Sequence, residues 1–148
     1  MEKIELISKK PEETCDLGRK IAANLKGNEI IFLQGQLGTG KTFLVSCIVA
    51  GLGYRGEVNS PTFVLQQEYP ARFPVLHLDL YRLNSGEELK ELGLEEYIGE
   101  KIWLVEWADL YAGFLPSPDL IIELEMIGEQ ERKINLWTRS LADYDFGN

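Results

Sequence analysis

Short apolar runs alternate with segments of helical spacing along this 148-residue chain. Runs of about four to eight residues whose apolar positions alternate, or follow one another without a break, are typical of β-strands. Residues 75–81 alternate, and residues 102–107 form an apolar run that contains one acid near its end. The pattern predicts strands at residues 4–7, 29–34, 75–81, 102–107, 120–126 and 132–138.

Helical periodicity fills much of the chain between these strands. Pro11 suits the first turn of a helix, and Leu17 and Ile21 then recur at helical spacing. Further helices are predicted at residues 43–52 and 85–97. The second of these is acidic, and its charges are most simply explained as a face exposed to water.

Two segments carry turn signals. Residues 54–74 are irregular, with a β-like run at residues 63–65, and predict a functional loop or a hairpin. Residues 120–126 and 132–138 alternate on either side of a turn at Gly128, so they predict an antiparallel hairpin that completes one edge of the sheet.

Residues 35–42 carry the clearest chemical signal, because they fit the phosphate-binding pattern G-x-x-x-x-G-K-[ST] between a predicted strand and a predicted helix. Glycines let successive backbone N–H groups turn toward an anion, and the helix N-terminus adds roughly half a positive charge. Lys41 is expected to reach the β- and γ-phosphates of a nucleoside triphosphate, and Thr42 to give its hydroxyl to Mg²⁺. A glycine-rich turn without a ligand is the alternative. The residues expected to bind nucleotide are Gly35, Gln36, Leu37, Gly38, Thr39, Gly40, Lys41, Thr42 and Phe43.

The strand, loop and helix around this motif predict an α/β fold of the P-loop NTPase type. We expect a three-layer sandwich with a mainly parallel central sheet and an antiparallel C-terminal hairpin. A chain of this size buries roughly 68–70 % of its unfolded surface, which suffices for one sheet covered on both faces. Residues 1–148 are therefore expected to form a single domain.

Composition narrows the classes of function. The net charge of −9 and the pI near 4.7 argue against a surface that grips nucleic acid unaided, because such binding needs lysines and arginines. The first residues are acidic where a secretory signal is basic and then apolar, and no apolar stretch approaches the roughly 20 residues of a membrane span. We therefore expect a cytoplasmic protein. Cys15 and Cys47 lie far apart outside any metal-binding spacing, and are expected to be reduced thiols.

Two acids follow apolar residues near the ends of predicted strands. Asp79 and Glu106 qualify as partners of Mg²⁺ and of an attacking water, because the carboxyl ends of parallel strands gather around a bound nucleotide. A turn or capping acid is the alternative for Asp79, and an exposed strand-end acid for Glu106. His77, two residues before Asp79, is either catalytic or a structural hydrogen-bonding group. Trp107, beside Glu106, is the tryptophan expected to touch the site.

Several segments together resemble a known family. In order and spacing they are similar to the TsaE family of bacterial tRNA threonylcarbamoyladenosine biosynthesis ATPases, over nearly the whole chain. The segments that carry the resemblance are residues 35–42, Ser60-Pro61-Thr62-Phe63, His77-Leu78-Asp79-Leu80-Tyr81-Arg82, Leu92-Gly93-Leu94-Glu95-Glu96-Tyr97 and Val105-Glu106-Trp107-Ala108-Asp109.

The resemblance implies a role for each central residue. Lys41 and its loop would hold ATP, Thr42 and Glu106 would bind Mg²⁺, and Asp79 would be needed for hydrolysis, so that Lys41, Asp79 and Glu106 are the expected catalytic residues. It also implies that Thr14 and Arg132 lie near the nucleotide base.

The resemblance further implies a switch-like loop at residues 60–62 and the TsaB–TsaD complex as partner. The activity implied is a slow, partner-dependent ATPase required to modify adenosine 37 of tRNA, with tRNA contacted indirectly and the chain a monomer or weak dimer. Gln36 stands where the family frequently has an acid, which bears on turnover more than on binding.

Two other functions compete with a partner-coupled ATPase. A small-molecule kinase shares the phosphate loop but usually has a lid with several arginines, whereas Arg55, Arg72 and Arg82 are scattered here. A non-catalytic binding module would use ATP to order the loop at residues 60–63, with hydrolysis incidental.

Overall fold

The structure is a computed structural model that describes residues 1–36, 38–58 and 66–146. Its strands are β1 (Glu2–Ser8), β2 (Ile30–Gln34), β3 (Gln66–Pro70), β4 (Pro74–Asp79), β5 (Ile102–Glu106), β6 (Leu120–Met126) and β7 (Arg132–Thr138). Its helices are α1 (Pro11–Asn24), α2 (Lys41–Gly51) and α3 (Gly86–Glu91), with 3₁₀ turns at Leu94–Tyr97, Ala108–Phe114 and Leu141–Asp143. In the described part of the chain, every helix is too short or too polar to cross a membrane.

Within these described ranges the strands form one mixed sheet in the order β1-β7-β6-β2-β5-β4-β3. The four central strands, β6, β2, β5 and β4, run parallel. The pairings β1–β7, β6–β7 and β3–β4 are antiparallel. The predicted hairpin of β6 and β7 is confirmed, but the prediction of a mainly parallel sheet holds only for the centre.

The prediction that this hairpin completes one edge of the sheet is wrong. Instead β1 pairs with β7 from Glu2↔Thr138 to Ser8↔Arg132 and lies outside it. The physical reason is burial, because Ile4 and Leu6 of β1 pack against the same core cluster as the residues of β7.

Helical layers cover both faces of the sheet because its central strands are apolar on both sides. In β2, Ile31 and Leu33 belong to the core cluster formed with α1 and α2. Ile30 and Phe32 belong to the opposite cluster, which includes Leu89 of α3. Successive side chains of a strand point to opposite faces, so β2 is buried from both directions. The carboxyl ends of the central strands therefore lie between the two helical layers.

The acidic segment at residues 85–97 is predicted as one helix, but α3 spans only Gly86–Glu91. Gly93 follows α3 with a φ of 64°, which lies in the left-handed region where an α-helix does not continue. A separate 3₁₀ turn at Leu94–Tyr97 then brings Leu94 back to the core. Glu87 and Glu91 are exposed, in agreement with the predicted solvated face.

The irregular segment after α2 ends in a hairpin, since β3 and β4 pair antiparallel around residues 71–73. The β-like run predicted at residues 63–65 and the loop predicted at residues 60–63 lie outside the described residues.

Cys15 of α1 and Cys47 of α2 form a disulfide, with their Cα atoms 5.1 Å apart. The prediction of two reduced thiols is therefore wrong. The helices meet closely through glycines, because a Cβ added at Gly18 would lie 2.7 Å from Cβ of Cys47, and one at Gly51 would lie 2.7 Å from Cβ of Ala22. Spacing along the chain carries no information about this contact, which depends on how the two helices pack.

Reduction of this disulfide is expected to destabilise the fold. The bond closes a loop across 32 positions of sequence, and such cross-links typically contribute roughly 2–4 kcal/mol by restricting the unfolded chain. In thermal unfolding with and without dithiothreitol, the midpoint should fall by roughly 4–16 °C on reduction. The Cys15→Ala/Cys47→Ala double variant is the control and should melt at the same temperature in both buffers. An equal response of both proteins to the reductant would contradict the disulfide.

Candidate functional site

The loop between β2 and α2 turns on glycines with positive φ. Gly35, Gly38 and Gly40 have φ values of 144°, 83° and 100°. Gly35 carries a second constraint, because a Cβ there would lie 2.5 Å from the carbonyl oxygen of Leu124 in β6. α2 begins directly after Gly40, so its N-terminal N–H groups face the loop. This arrangement suits an anion, since backbone N–H groups and the helix dipole act together there.

The side chain of Lys41 folds back over this loop. Its Nζ donates to the carbonyl oxygens of Gly35 at 2.5 Å and Gln36 at 3.1 Å. The same atom lies 3.9 Å from the ring centroid of Trp107, within cation–π range. The ammonium group is therefore held at the mouth of the loop by two carbonyls and an aromatic face.

Burial lowers the pKa of the Lys41 ammonium group. The neighbouring carboxylates of Glu106, Asp79 and Asp109 act in the opposite direction and raise it. The ammonium group of Lys41 is therefore partly buried and lies near three carboxylates.

Thr42 and Glu106 meet although 64 positions separate them. The Thr42 hydroxyl lies 3.0 Å from Oε1 and 3.1 Å from Oε2 of Glu106, and donates to this carboxylate. The parallel pairing of β4 and β5 places Asp79 directly opposite Glu106. All three residues line a cavity of about 270 Å³ together with Lys41. Asp79 also accepts from the backbone N–H of Tyr81 at 3.1 Å, so it shapes the turn after β4 as well.

Trp107 sits in a strained backbone conformation at the end of β5. Its φ of 62° is unusual for a bulky residue. The indole packs on the ring of Tyr81 with the centroids 4.8 Å apart. This turn directs the indole over Lys41, as the position of Trp107 beside Glu106 led us to expect, although the sequence carries no sign of the backbone strain.

A second cavity, of about 410 Å³, lies beside Thr39 and Gly40. Thr14 of α1 and Arg132 of β7 line it, as does the half-exposed ring of Phe43. The Arg132 guanidinium donates from Nε to the carbonyl oxygen of Thr39 at 2.8 Å. Thr14 and Arg132 are thus brought beside the same part of the loop from opposite ends of the chain.

Glu106 has a further partner behind it. Nε2 of His77 donates to Oε2 of Glu106 across 2.6 Å, and a 3.1 Å hydrogen bond joins Nδ1 to the hydroxyl of Tyr69. Burial, with smaller contributions from Tyr54 and Glu106, raises the pKa of Tyr69 to about 12, so its hydroxyl stays protonated at neutral pH. The sequence placed His77 on the strand face of Asp79 but gave no sign of Tyr69.

The oxygen atoms at this site fit Mg²⁺ bound together with a nucleotide. Mg²⁺ in phosphate sites usually takes one or two protein oxygens and completes its shell with phosphates and waters. The adjacent hydroxyl of Thr42 and carboxylate of Glu106 match that donor set. Across the described ranges, no group of three or more His, Cys, Asp or Glu residues is arranged to hold a metal.

The structure therefore brings most of the predicted site residues to one end of the central strands. Around the first cavity lie Gly38, Gly40, Lys41, Thr42, Phe43, Asp79 and Glu106; Thr14, Thr39 and Arg132 line the second; Gly35 and Gln36 line a third, adjoining one. Leu37 lies outside the described residues. The roles of these residues remain predictions.

Comparison with known proteins gives consistent matches. Residues 8–134 match the family model of the threonylcarbamoyl adenosine biosynthesis protein TsaE. The chain is 40% identical over 127 residues to the tRNA threonylcarbamoyladenosine biosynthesis protein TsaE of Rickettsia bellii, which covers 84% of this chain and 88% of that protein. It is 40% identical over 126 residues to the protein of the same name from Bacillus subtilis, covering 84% and 78%. The fold is similar to the crystal structure of Bacillus subtilis YdiB, with a TM-score of 0.77 and 31% identity over 95% of this chain and 88% of that one.

Proposed function

Because this chain belongs to the TsaE family of threonylcarbamoyl adenosine biosynthesis proteins, we propose that it binds and hydrolyses Mg²⁺–ATP in support of that tRNA modification. The observation that carries the proposal is the meeting of Lys41, Thr42, Asp79 and Glu106 around one cavity beside a glycine-rich loop. These are the groups that phosphoryl transfer needs, because its transition state is stabilised by positioning and charge rather than by covalent chemistry. The fold would then be that of a P-loop NTPase.

The loop and Lys41 would bind the phosphates. The backbone N–H groups at the start of α2 point into the loop, where the helix dipole favours negative charge. Lys41 would exchange the carbonyls of Gly35 and Gln36 for phosphate oxygens, because a charge-assisted bond to phosphate is stronger than a bond to a neutral carbonyl. Thr14, Arg132 and Phe43 line the cavity next to the loop, which offers room for the base and ribose.

Asp79 and Glu106 would serve hydrolysis. Bound Mg²⁺ would neutralise charge on the phosphates. Glu106, paired with Thr42, would hold the cation through its carboxylate, while Asp79 on the adjacent strand would orient the attacking water. Asp79 and Glu106 are register partners on the parallel strands β4 and β5, so their carboxylates lie at the same level of the sheet.

We infer from the family that hydrolysis is slow alone and couples to a TsaB–TsaD complex. The acidic chain favours indirect contact with tRNA, because phosphate-backbone binding depends on basic side chains. Phosphate release from ATP should be measured for the purified chain alone and with TsaB and TsaD, with and without Mg²⁺. Slow, Mg²⁺-dependent release that rises with the partners supports the proposal. Tight ATP binding with no release in any condition would favour a nucleotide-gated binding module, and a stoichiometric phosphorylated small molecule would favour a kinase.

Replacing Asp79 by alanine is expected to separate hydrolysis from binding. Loss of a group that orients water should lower phosphate release at least about a hundredfold, in the range found for general acid–base groups. ATP affinity should change little, because the loop and Lys41 are intact. Asp16→Ala, which removes an exposed carboxylate of α1, is the matched control. Full turnover in Asp79→Ala would remove Asp79 from the catalytic residues.

A further inference from the structure

A network of hydrogen bonds, buried at its centre, runs behind Glu106, on residues that do not line the cavity beside Lys41. It begins at Gln67 on the edge strand β3, whose Oε1 lies 2.7 Å from the hydroxyl oxygen of Tyr69. It continues to Nδ1 of His77 at 3.1 Å and from Nε2 to Oε2 of Glu106 at 2.6 Å. Thr42 then closes the chain on the other side of the carboxylate. The polar side chains thus link three adjacent strands to the first turn of α2.

The side chains at the centre of this hydrogen-bonded network are almost completely buried. His77 is fully buried, and Tyr69 and Glu106 are 3% and 2% exposed. Their neighbours on strands β4 and β5 are apolar residues such as Leu76 and Leu104. A buried polar group costs stability unless it is hydrogen-bonded, and an apolar residue at position 77 would avoid that cost. Tyr69, His77 and Glu106 are each hydrogen-bonded to another of these side chains, which offsets part of that cost.

The two hydrogen bonds to Glu106 act on one carboxylate from two sides. His77 bonds to Oε2 alone, whereas Thr42 contacts both oxygens. Because His77 approaches a single oxygen from within the core, it restricts rotation of the carboxylate about its last side-chain bond. Tyr69 in turn restricts rotation of the imidazole, through the nitrogen that faces away from Glu106.

We propose that His77 is a positioning residue: it holds the Glu106 carboxylate in the orientation that pairs it with Thr42, and thereby sets how much Mg²⁺ the nucleotide site requires. Tyr69 orients His77 for this task. The inference rests on the proposed role of Glu106 as the Mg²⁺ partner. Groups that orient the ligands of a metal commonly change metal affinity by about 10- to 100-fold when removed.

The test compares two substitutions of similar size. Gln at position 77 keeps an N–H donor at nearly the reach of Nε2, whereas Leu has none. ADP affinity is measured by calorimetry in EDTA and then at increasing Mg²⁺, so the readout is binding and not turnover. The quantity compared is the Mg²⁺ concentration that gives half of the total gain in ADP affinity. We expect it to be about tenfold higher in His77→Leu than in the native protein, and close to the native value in His77→Gln. Affinity in EDTA should be the same in all three.

The single histidine of the chain gives a second, spectroscopic readout. Its imidazole nitrogens are unique in an NMR spectrum, so the Nε2 signal reports directly on the contact with Glu106. Adding Mg²⁺ to the ADP complex should shift this signal in the native chain. Tyr69→Phe removes one hydroxyl from a buried ring and should raise the Mg²⁺ requirement by less than His77→Leu does.

The outcomes separate this inference from the proposed function. Equal Mg²⁺ requirements in native, Leu and Gln chains would overturn the positioning role, provided that Glu106→Gln abolishes the Mg²⁺ response. If Glu106→Gln keeps that response, the assignment of Glu106 itself fails. Should His77→Leu not fold, an unchanged Mg²⁺ requirement in Tyr69→Phe together with an unmoved Nε2 signal would overturn the inference.

Discussion

Replacing Lys41 by alanine is expected to lower ATP affinity at least about tenfold. The ammonium group lies at the mouth of the loop. Each charge-assisted bond that it would make to a phosphate contributes roughly 1.5–3 kcal/mol, and a loss of about 1.4 kcal/mol lowers affinity tenfold. The measurement is ATP binding by calorimetry in the presence of Mg²⁺. Thermal unfolding should accompany it, because Lys41 also contacts the ring of Trp107.

Lys20→Ala serves as the control for this variant, since Lys20 is an exposed lysine of α1. It removes the same charge from the chain without touching the loop, so its ATP affinity should match that of the native protein. If Lys41→Ala binds ATP as tightly as this control, the loop is not the phosphate site.

Replacing Glu106 by glutamine is expected to lower Mg²⁺-dependent phosphate release by about a hundredfold or more, because charge stabilisation by a metal ion contributes several kcal/mol to such reactions. Glutamine preserves the shape of the side chain but removes its charge. It still offers one oxygen to Thr42 or His77, which keeps the buried site folded. Binding of ATP should fall less than turnover does, since the loop and Lys41 remain.

Glu91→Gln is the matched control, because Glu91 is an exposed glutamate of α3 that lines none of the three cavities described above. Phosphate release by this variant should equal that of the native chain. Glu106 would lose its assigned role if its glutamine variant released phosphate at the rate of the control.

The sequence predicted the parts of the site that depend on local pattern. The loop from Gly35 to Thr42 is recognisable because its residue types and spacing fit the phosphate-binding pattern. Asp79 and Glu106 are recognisable because each lies at the carboxyl end of a strand-like run, where a parallel sheet collects its functional side chains.

Features that depend on packing between distant segments were not predictable in this way. The Cys15–Cys47 disulfide requires knowledge of which faces of α1 and α2 meet. The contact of Tyr69 with His77 requires the register of β3 against β4, and the left-handed backbone of Trp107 requires the turn that follows β5. In each case the feature depends on residues that are distant in sequence or on a turn, and the residue types near it do not indicate it.

The position of β1 at the outer edge has a consequence for how the protein is made. Its partner is β7, so β1 cannot pair until residues 132–138 have been synthesised. Until then a nascent chain carries β1 as an unpaired strand, which is open to association with other chains. The parallel core and its loop fold from earlier residues. Pairing of β1 therefore follows the synthesis of all four parallel strands.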